Sequence, residues 1–336
     1  MTLKDIAKEA GVSSMTVSNV INGRHEHVSK KTLMRVNEII EKYHYIPNIN
    51  ARSLAAKSSG IVLLIIPLSH GLTNMFYTPY ISMLAGTMEY QLRSRGYSAM
   101  IRSVQAFNEL EVLFKTWTAD GAVFLLPDFD CFMDQILEKT HIPLVFLDTC
   151  HNRPDILKVS CDDQKGTYLA TRYLISQGHT RIAFLGDYKN SDLVTARFLG
   201  YKTALEESGL SCIPDQVFEE SPDYEHGIQV GQRLSSPHSP VTAVVSSSDY
   251  GAVGIMEGAR LSGMKLPTQL SVIGFDDLPF CNYCVPKLTT ISQNIEAKAI
   301  AAIDLLTDKI NGKEISQNHI LIDVKLIERQ SAVPPA

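Results

Sequence analysis

The sequence predicts an all-α head followed by a two-lobed α/β body containing two doubly wound parallel sheets. Three observations predict it. Amphipathic helical periodicity, punctuated by turn residues, fills the stretch from Leu3 to Tyr45. From Gly60 onward, short apolar runs alternate with amphipathic segments, the pattern of parallel sheets covered by helices. The charge is also divided: residues 1–59 carry nine Lys and Arg against five Asp and Glu, a net of +4 that leaves −9 for the rest of a chain at −5.

At 336 residues the chain exceeds one ordinary core, so two or three packing units are expected. With 45% hydrophobic and 20% charged residues and a mean hydropathy near zero, the composition is that of a globular chain. The start, Met1 to Asp5, has no apolar region behind a basic one, and no stretch approaches the ~20 apolar residues of a membrane span. A cytoplasmic location is expected. Six cysteines (131, 150, 161, 212, 281 and 284) lie scattered, which favours free thiols over a disulfide framework. Cys281 and Cys284 form the one close pair and lack a second pair at zinc spacing, so neither metal nor cofactor is expected.

In the head, Thr2 caps a helix over Leu3 to Ala10, with Leu3, Ile6, Ala7 and Ala10 on one face. Gly11 suits a tight left-handed turn, Ser13 caps a second helix from Ser14 to Ile21, and Asn22-Gly23 ends it. Ser29 caps a third helix whose apolar stripe is Leu33, Val36, Ile40 and Tyr43. Two short helices about a glycine turn make a helix-turn-helix, whose second helix enters the DNA major groove. Val17, Val20 and Ile21 then face inward, leaving Ser14, Met15, Thr16, Ser18 and Asn19 outward. Asn19 suits adenine, Met15 a thymine methyl, and Ser13, Thr16 and Ser18 suit phosphates. The positive head accords with a polyanionic partner, although charge alone equally describes a solvated face.

The motifs Leu3-Lys-Asp-Ile-Ala-Lys-Glu-Ala-Gly-Val-Ser13, Thr16-Val-Ser18, Val20-Ile-Asn-Gly23, Tyr45-Ile-Pro-Asn48 and Ala51-Arg-Ser-Leu54 resemble the head of the LacI/GalR family of bacterial transcriptional regulators. That resemblance implies a DNA-facing set of Thr2, Ser13, Ser14, Met15, Thr16, Ser18, Asn19, Asn22, Asn48, Asn50, Ala51 and Leu54. It further implies a hinge helix, Asn50 to Lys57, that folds on DNA, with Leu54 as a wedge opening the minor groove beside Ala51. A plain linker over 46–59 is the alternative, against which Pro47, Asn48 and Asn50 read as a helix start.

In the body, strands are expected at 61–67, 98–102, 122–126 and 144–147, then at 181–185, 242–246 and 271–274. Ligands of such sheets bind beyond the carboxyl ends of the strands. The resemblance continues through Gly178-His-Thr-Arg-Ile-Ala183, Leu270-Ser-Val-Ile-Gly-Phe-Asp-Asp277, Leu288-Thr-Thr-Ile291 and Leu326-Ile-Glu-Arg329. It implies a periplasmic-binding-protein-like sensor with three crossings between lobes: a head at 1–47, a hinge and linker at 48–59, and an effector-binding and dimerisation domain at 60–336. Its N-lobe would hold about 61–160 and 293–322, its C-lobe about 161–290 and 323–330. Position by position, the effector pocket becomes Tyr80, Ile81, Asp148, Arg197, Tyr224, Ser248, Asp276 and Gln293. Arg197 and Asp276 suit a polyhydroxylated ligand such as a sugar, and an interlobe salt bridge without ligand contact is the other reading of that pair.

The chain departs from the family pattern in three places. Ser248 stands where an asparagine is usual, the segment Ser69 to Thr78 is longer, and the spacing around Tyr224 is shorter than in some relatives. Trp117, the lone tryptophan, is expected on a helix in a packing role. A dinucleotide fingerprint, P-loop and nucleophile elbow are all missing from the sequence, which argues against an enzyme. A periplasmic sugar-binding protein would have no use for the head. The expected function is therefore a dimeric repressor of carbohydrate-metabolism genes on a pseudo-palindromic operator, nucleoid-associated when bound and controlled by a sugar or sugar derivative. A purine- or phosphoprotein-corepressed regulator of the same family remains open. A tail ending at Ala336 without leucine heptads is expected to give a dimer, not a tetramer.

Overall fold

The structure, a computed structural model, describes residues 2–21, 23–24, 26, 28–45, 58–68, 75–125, 133–151 and 153–335. The chain divides into two compact units, Met1–Gly60 and Ile61–Ala336.

The first unit is three helices around one small core. Helix α1 (Leu3–Ala10) opens on a capping box, in which the Thr2 amide donates to Asp5 at 2.8 Å and the Thr2 hydroxyl accepts from the Asp5 amide at 3.3 Å. Gly11 closes α1 at φ 62°, in the left-handed region that a side chain disfavours. Ser13 then accepts from the Thr16 amide at 3.1 Å, starting α2 (Ser14–Ile21), and Ser29 accepts from the Thr32 amide at 3.2 Å, starting α3 (Lys30–Lys42). Ile6, Ala7, Ala10, Val17, Val20, Val36 and Ile39 fill the core. The expected stripe of α3 needs one correction. The helix stops at Lys42, so Tyr43 turns outward to donate to Glu9, and Ile39 takes the buried place beside Val36.

The second unit holds two six-stranded sheets. The first is built from β1 (Ile61–Pro67), β2 (Ser98–Val104), β3 (Gly121–Leu125), β4 (Leu144–Leu147), β5 (Leu157–Cys161) and β11 (His319–Ile322), in the order β11-β5-β4-β3-β1-β2 and parallel throughout. The second is built from β6 (Ile182–Leu185), β7 (Val217–Phe218), β8 (Ala243–Ser246), β9 (Ser271–Asp276), β10 (Thr289–Ser292) and β12 (Lys325–Ile327), in the order β12-β10-β9-β8-β6-β7. Its edge strand β12 runs antiparallel to β10, a departure from the all-parallel expectation. The chain changes sheet after β5, after β10 and after β11, three crossings in all.

The expected strands are present with shifted ends: β2 runs on to Val104 and β9 to Asp276, while Leu126 lies outside the described residues. Continuous apolar runs such as β1, buried on both faces, are what a sheet covered by helices on each side demands. Phe124 and Phe146 stack across neighbouring strands at 4.8 Å on one face. In the second lobe the helices Tyr224–Leu234 and Asp249–Leu261 approach so closely that a Cβ on Gly231 would lie 2.2 Å from the Ile255 carbonyl, and one on Gly258 would lie 2.1 Å from that of Ile228. Trp117 caps the end of the helix Phe107–Thr116 and is 45% exposed, so it contributes less packing than expected.

Candidate functional site

Two surfaces carry the expected chemistry. On α2, Val17 and Val20 are buried while Met15 is 70% exposed, with Ser14, Thr16, Ser18 and Asn19 between these extremes. A short helix with a buried branched face thus presents small polar side chains and one apolar one to an exterior partner. The Ser13 hydroxyl meets that of Thr16 at 2.9 Å, at the start of the helix, where amide groups also point outward. The expected contacts Asn22, Asn48, Asn50, Ala51 and Leu54, and the hinge they belong to, lie outside the described residues.

The second surface is the junction of the two sheets. Asp148 follows β4, Asp276 ends β9, and Gln293 follows β10, so the strand ends deliver these side chains to one place. Five described non-glycine residues have positive φ, and four of them, Asp148, Asp276, Asp277 and Asn294, cluster here. Backbone held in such conformations gathers at functional sites.

The junction is a buried network. Tyr80 donates to Asp148 Oδ2 at 2.7 Å, and Lys298 donates to Asp148 Oδ1 at 2.6 Å, to Tyr80 Oη at 3.2 Å and to Gln293 Oε1. Gln293, at the crossover after β10, donates through Nε2 to Asp276 Oδ1 at 2.6 Å and accepts from Lys298, so it ties the second-sheet strand ends to Asp148 and Tyr80 of the first lobe. Arg197 donates through Nε to Asp163 Oδ1 at 2.7 Å and through a terminal nitrogen to the Ser247 carbonyl at 2.5 Å, with its guanidinium 3.7 Å from the Phe275 ring centroid. The Arg197–Asp276 pair is longer, at 4.0 Å, and both residues belong to the second-sheet lobe. It is therefore no interlobe salt bridge; Gln293 makes that link.

Burial shapes the charges. It pushes the Asp276 carboxyl up to about 8 against the pull of Arg197. It raises Asp163 as well, again opposed by Arg197. Burial pulls the Lys298 ammonium down, but Asp148 and Tyr80 outweigh it and hold the group well above its ordinary value. Arg197 stays charged by the same balance, with Asp163 the chief partner.

Tyr80, Asp148, Asp276 and Gln293 thus meet in one hydrogen-bonded network, with Arg197 beside it at 4.0 Å from Asp276. The other three expected pocket residues are placed differently. Ile81 is fully buried in the apolar core of the first lobe. Tyr224 begins its helix and stacks on Tyr250 at 5.8 Å. Ser248 caps the helix Asp249–Leu261, accepting from the Gly251 amide at 2.9 Å and donating to the Pro222 carbonyl. Its neighbour Ser247 holds, among the described residues, the one buried side-chain oxygen without a hydrogen-bond partner. Asp277, adjacent to Asp276, binds Arg329 at 2.6 Å instead of joining the network.

Sequence reasoning missed Lys298 and Asp163. Lys298 sits on the apolar stripe Ile295, Ala299, Ala302 and Leu306, and a lysine on such a stripe is a signal by itself. Asp163 opens the helix Asp163–Ser176 and reads as an ordinary first-turn acid until Arg197 is seen against it.

Among the described residues no helix is long and apolar enough to cross a membrane, and no group of three or more metal-ligating side chains is found. A family model described as bacterial regulatory proteins, lacI family, matches residues 2–48, and one described as a periplasmic binding protein-like domain matches residues 171–332. The HTH-type transcriptional repressor PurR of Mannheimia succiniciproducens is 30% identical, with 98% of each chain covered. The lac repressor dimer bound to operator and the anti-inducer ONPF superposes with a TM-score of 0.86 at 25% identity, covering 99% of each chain. A transcriptional regulator CelR–cellobiose complex superposes with a TM-score of 0.73 at 25% identity, covering 98% of this chain and 99% of that one.

Proposed function

The chain belongs to the lacI family of bacterial regulatory proteins and is a DNA-binding transcriptional regulator, not an enzyme; from that premise we propose that it is a cytoplasmic, dimeric repressor whose interlobe cleft binds a sugar or sugar derivative. Operator contacts come from α2, with Asn19 and Met15 reading bases and Ser13, Thr16 and Ser18 on phosphates. The hinge adds Leu54 at a central minor-groove step, and two heads on one dimer match a pseudo-palindromic operator.

One observation carries the effector half of this reading: of the residues expected to line the pocket, Tyr80, Asp148, Gln293 and Asp276 meet at the strand ends in one hydrogen-bonded network through Lys298, with the Arg197 guanidinium 4.0 Å from Asp276. Arg197 is a fixed donor and Asp276 an acceptor, the pair of functions that alternating hydroxyl groups require. The cellobiose of the CelR complex supports the sugar class. Because a ligand seated there must rearrange bonds made by both lobes, it biases their arrangement, which is the physical requirement for changing operator affinity.

Calorimetry tests the site. Sugars that raise the thermal midpoint of the full-length protein are titrated into wild type and Asp276→Ala. Binding is expected to weaken by ~30-fold or more in the variant, the cost of losing one partner of a buried charged set. Equal affinity in both proteins would remove the cleft assignment. A purine or a phosphoprotein that alone changed operator affinity would replace the sugar.

A further inference from the structure

Two buried cations and three buried carboxylates meet in the cleft, and each cation already holds a carboxylate of its own. Arg197 lies 2.7 Å from Asp163, and Lys298 lies 2.6 Å from Asp148, with no side chain of the four more than 10% exposed. An ammonium has three N–H donors, and those of Lys298 go to Asp148, Gln293 and Tyr80. The third carboxylate, Asp276, stands 4.0 Å from Arg197 and accepts from Gln293. Within this described cluster, therefore, no positive charge is left uncompensated.

We propose that the ligand of this cleft is uncharged, a neutral polyhydroxylated molecule, and that sugar acids and sugar phosphates are discriminated against. The inference rests on the reading of the cleft as the effector site. An anion entering it would leave water for a buried site whose two described cations each already hold a carboxylate. Hydroxyl groups face no such cost, because they can donate to Asp276 and accept from the Arg197 guanidinium. The unpartnered Ser247 hydroxyl, whose carbonyl holds Arg197, adds a further neutral hydrogen-bonding group at the same strand end.

Asp148 and Asp163 then act as specificity residues, because each cancels a cation that would otherwise attract an acidic ligand. The test uses the full chain at fixed ionic strength and matched probes: D-glucose, D-glucuronate and D-glucose 6-phosphate, the corresponding galactose set, and sodium sulfate as a bare anion. In each set the neutral sugar is expected to bind best, with its acidic counterparts ~10-fold or more weaker. Asp148→Asn frees Lys298, and Asp163→Asn does the same for Arg197 should the first variant fail to fold. Either change is expected to move the preference ~10-fold toward the acid and to make sulfate stabilising.

A uronate or sugar phosphate that binds wild type more tightly than its neutral counterpart overturns the proposal. So does a wild-type stabilisation by sulfate that vanishes in Lys298→Gln, or a folded Asp148→Asn whose preference is unchanged. Sulfate stabilisation that survives Lys298→Gln arises at another anion site and agrees with the expected result. Failure of the effector-site reading itself looks different: a neutral sugar would bind wild type and Asp276→Ala equally.

Discussion

The head and the cleft solve opposite problems with similar polar side chains. On α2 the functional groups stand outward from a capped, closed core, and Met15 is 70% exposed. In the cleft Arg197, Asp276, Gln293 and Lys298 are all buried and bound to one another or to neighbouring groups. A partner of the head adds contacts to groups that were in water, so it need not disturb the fold beneath them. A partner of the cleft must replace contacts that already exist, so its binding necessarily alters what holds the lobes. Under the proposed function, recognition and regulation are thereby separated: one surface would read and the other respond.

The strongest way to break this contrast is to remove a member of the buried network. Arg197→Ala leaves Asp163 buried without its cation and is expected to cost about 3–5 kcal/mol in chemical denaturation of the body, while abolishing the response to effector. A loss under ~1 kcal/mol would place the pair among solvent-screened surface bridges instead. On the head, Asn19→Ala is expected to cost about 1–3 kcal/mol in operator affinity and to relax discrimination at one base pair, with no change in fold stability beyond ~0.5 kcal/mol. Unchanged base preference would displace Asn19 from its reading role.

A pH-dependent effect sharpens the account of Asp276. Its folded-state carboxyl is pushed up to about 8, above the ordinary 3.8, so the folded protein holds a proton that the unfolded chain releases. Stability contributed by that proton is present below the ordinary value and is lost as pH rises through the folded one. Denaturation between pH 4 and 8 is therefore expected to show a downward slope of up to about 1.4 kcal/mol per pH unit from this group. Asp276→Asn, which keeps an acceptor for Gln293, should remove that slope; an identical slope in the variant would trace it to another group.

The same contrast explains how much could be read in advance. The head was legible residue by residue, because Thr2, Gly11, Ser13 and Ser29 carry local capping chemistry that needs no tertiary context. Among the described residues of the head, Tyr43 was misjudged and Ile39 missed, since the stripe assumed a helix continuing past Lys42. Strands buried on both faces, such as β1 and β3, announced themselves by unbroken apolar runs. By contrast β5 carries Lys158 and Ser160, β12 has three residues and β7 two, too little pattern for a strand signal. In the cleft, motif positions pointed to Arg197, Asp276 and Gln293, but orientation within the Ser246-Ser247-Ser248 run is decided by the strand-to-helix turn. That turn makes Ser248 a cap and leaves Ser247 unpartnered. Lys298 went unread although it lies on the apolar stripe of its helix, because its partner Asp148 is 150 residues away in the chain.

The most direct test of the central claim, that a ligand in the buried cleft alters what the exposed head binds, is operator affinity measured by fluorescence anisotropy with and without the sugar identified by thermal shift. In wild type the affinity is expected to change by ~5- to 150-fold, the range of ordinary coupling between sites, and in Asp276→Ala by less than ~2-fold at the same ligand concentration. An unchanged wild-type affinity at saturating ligand, or an equal change in both proteins, would contradict the account.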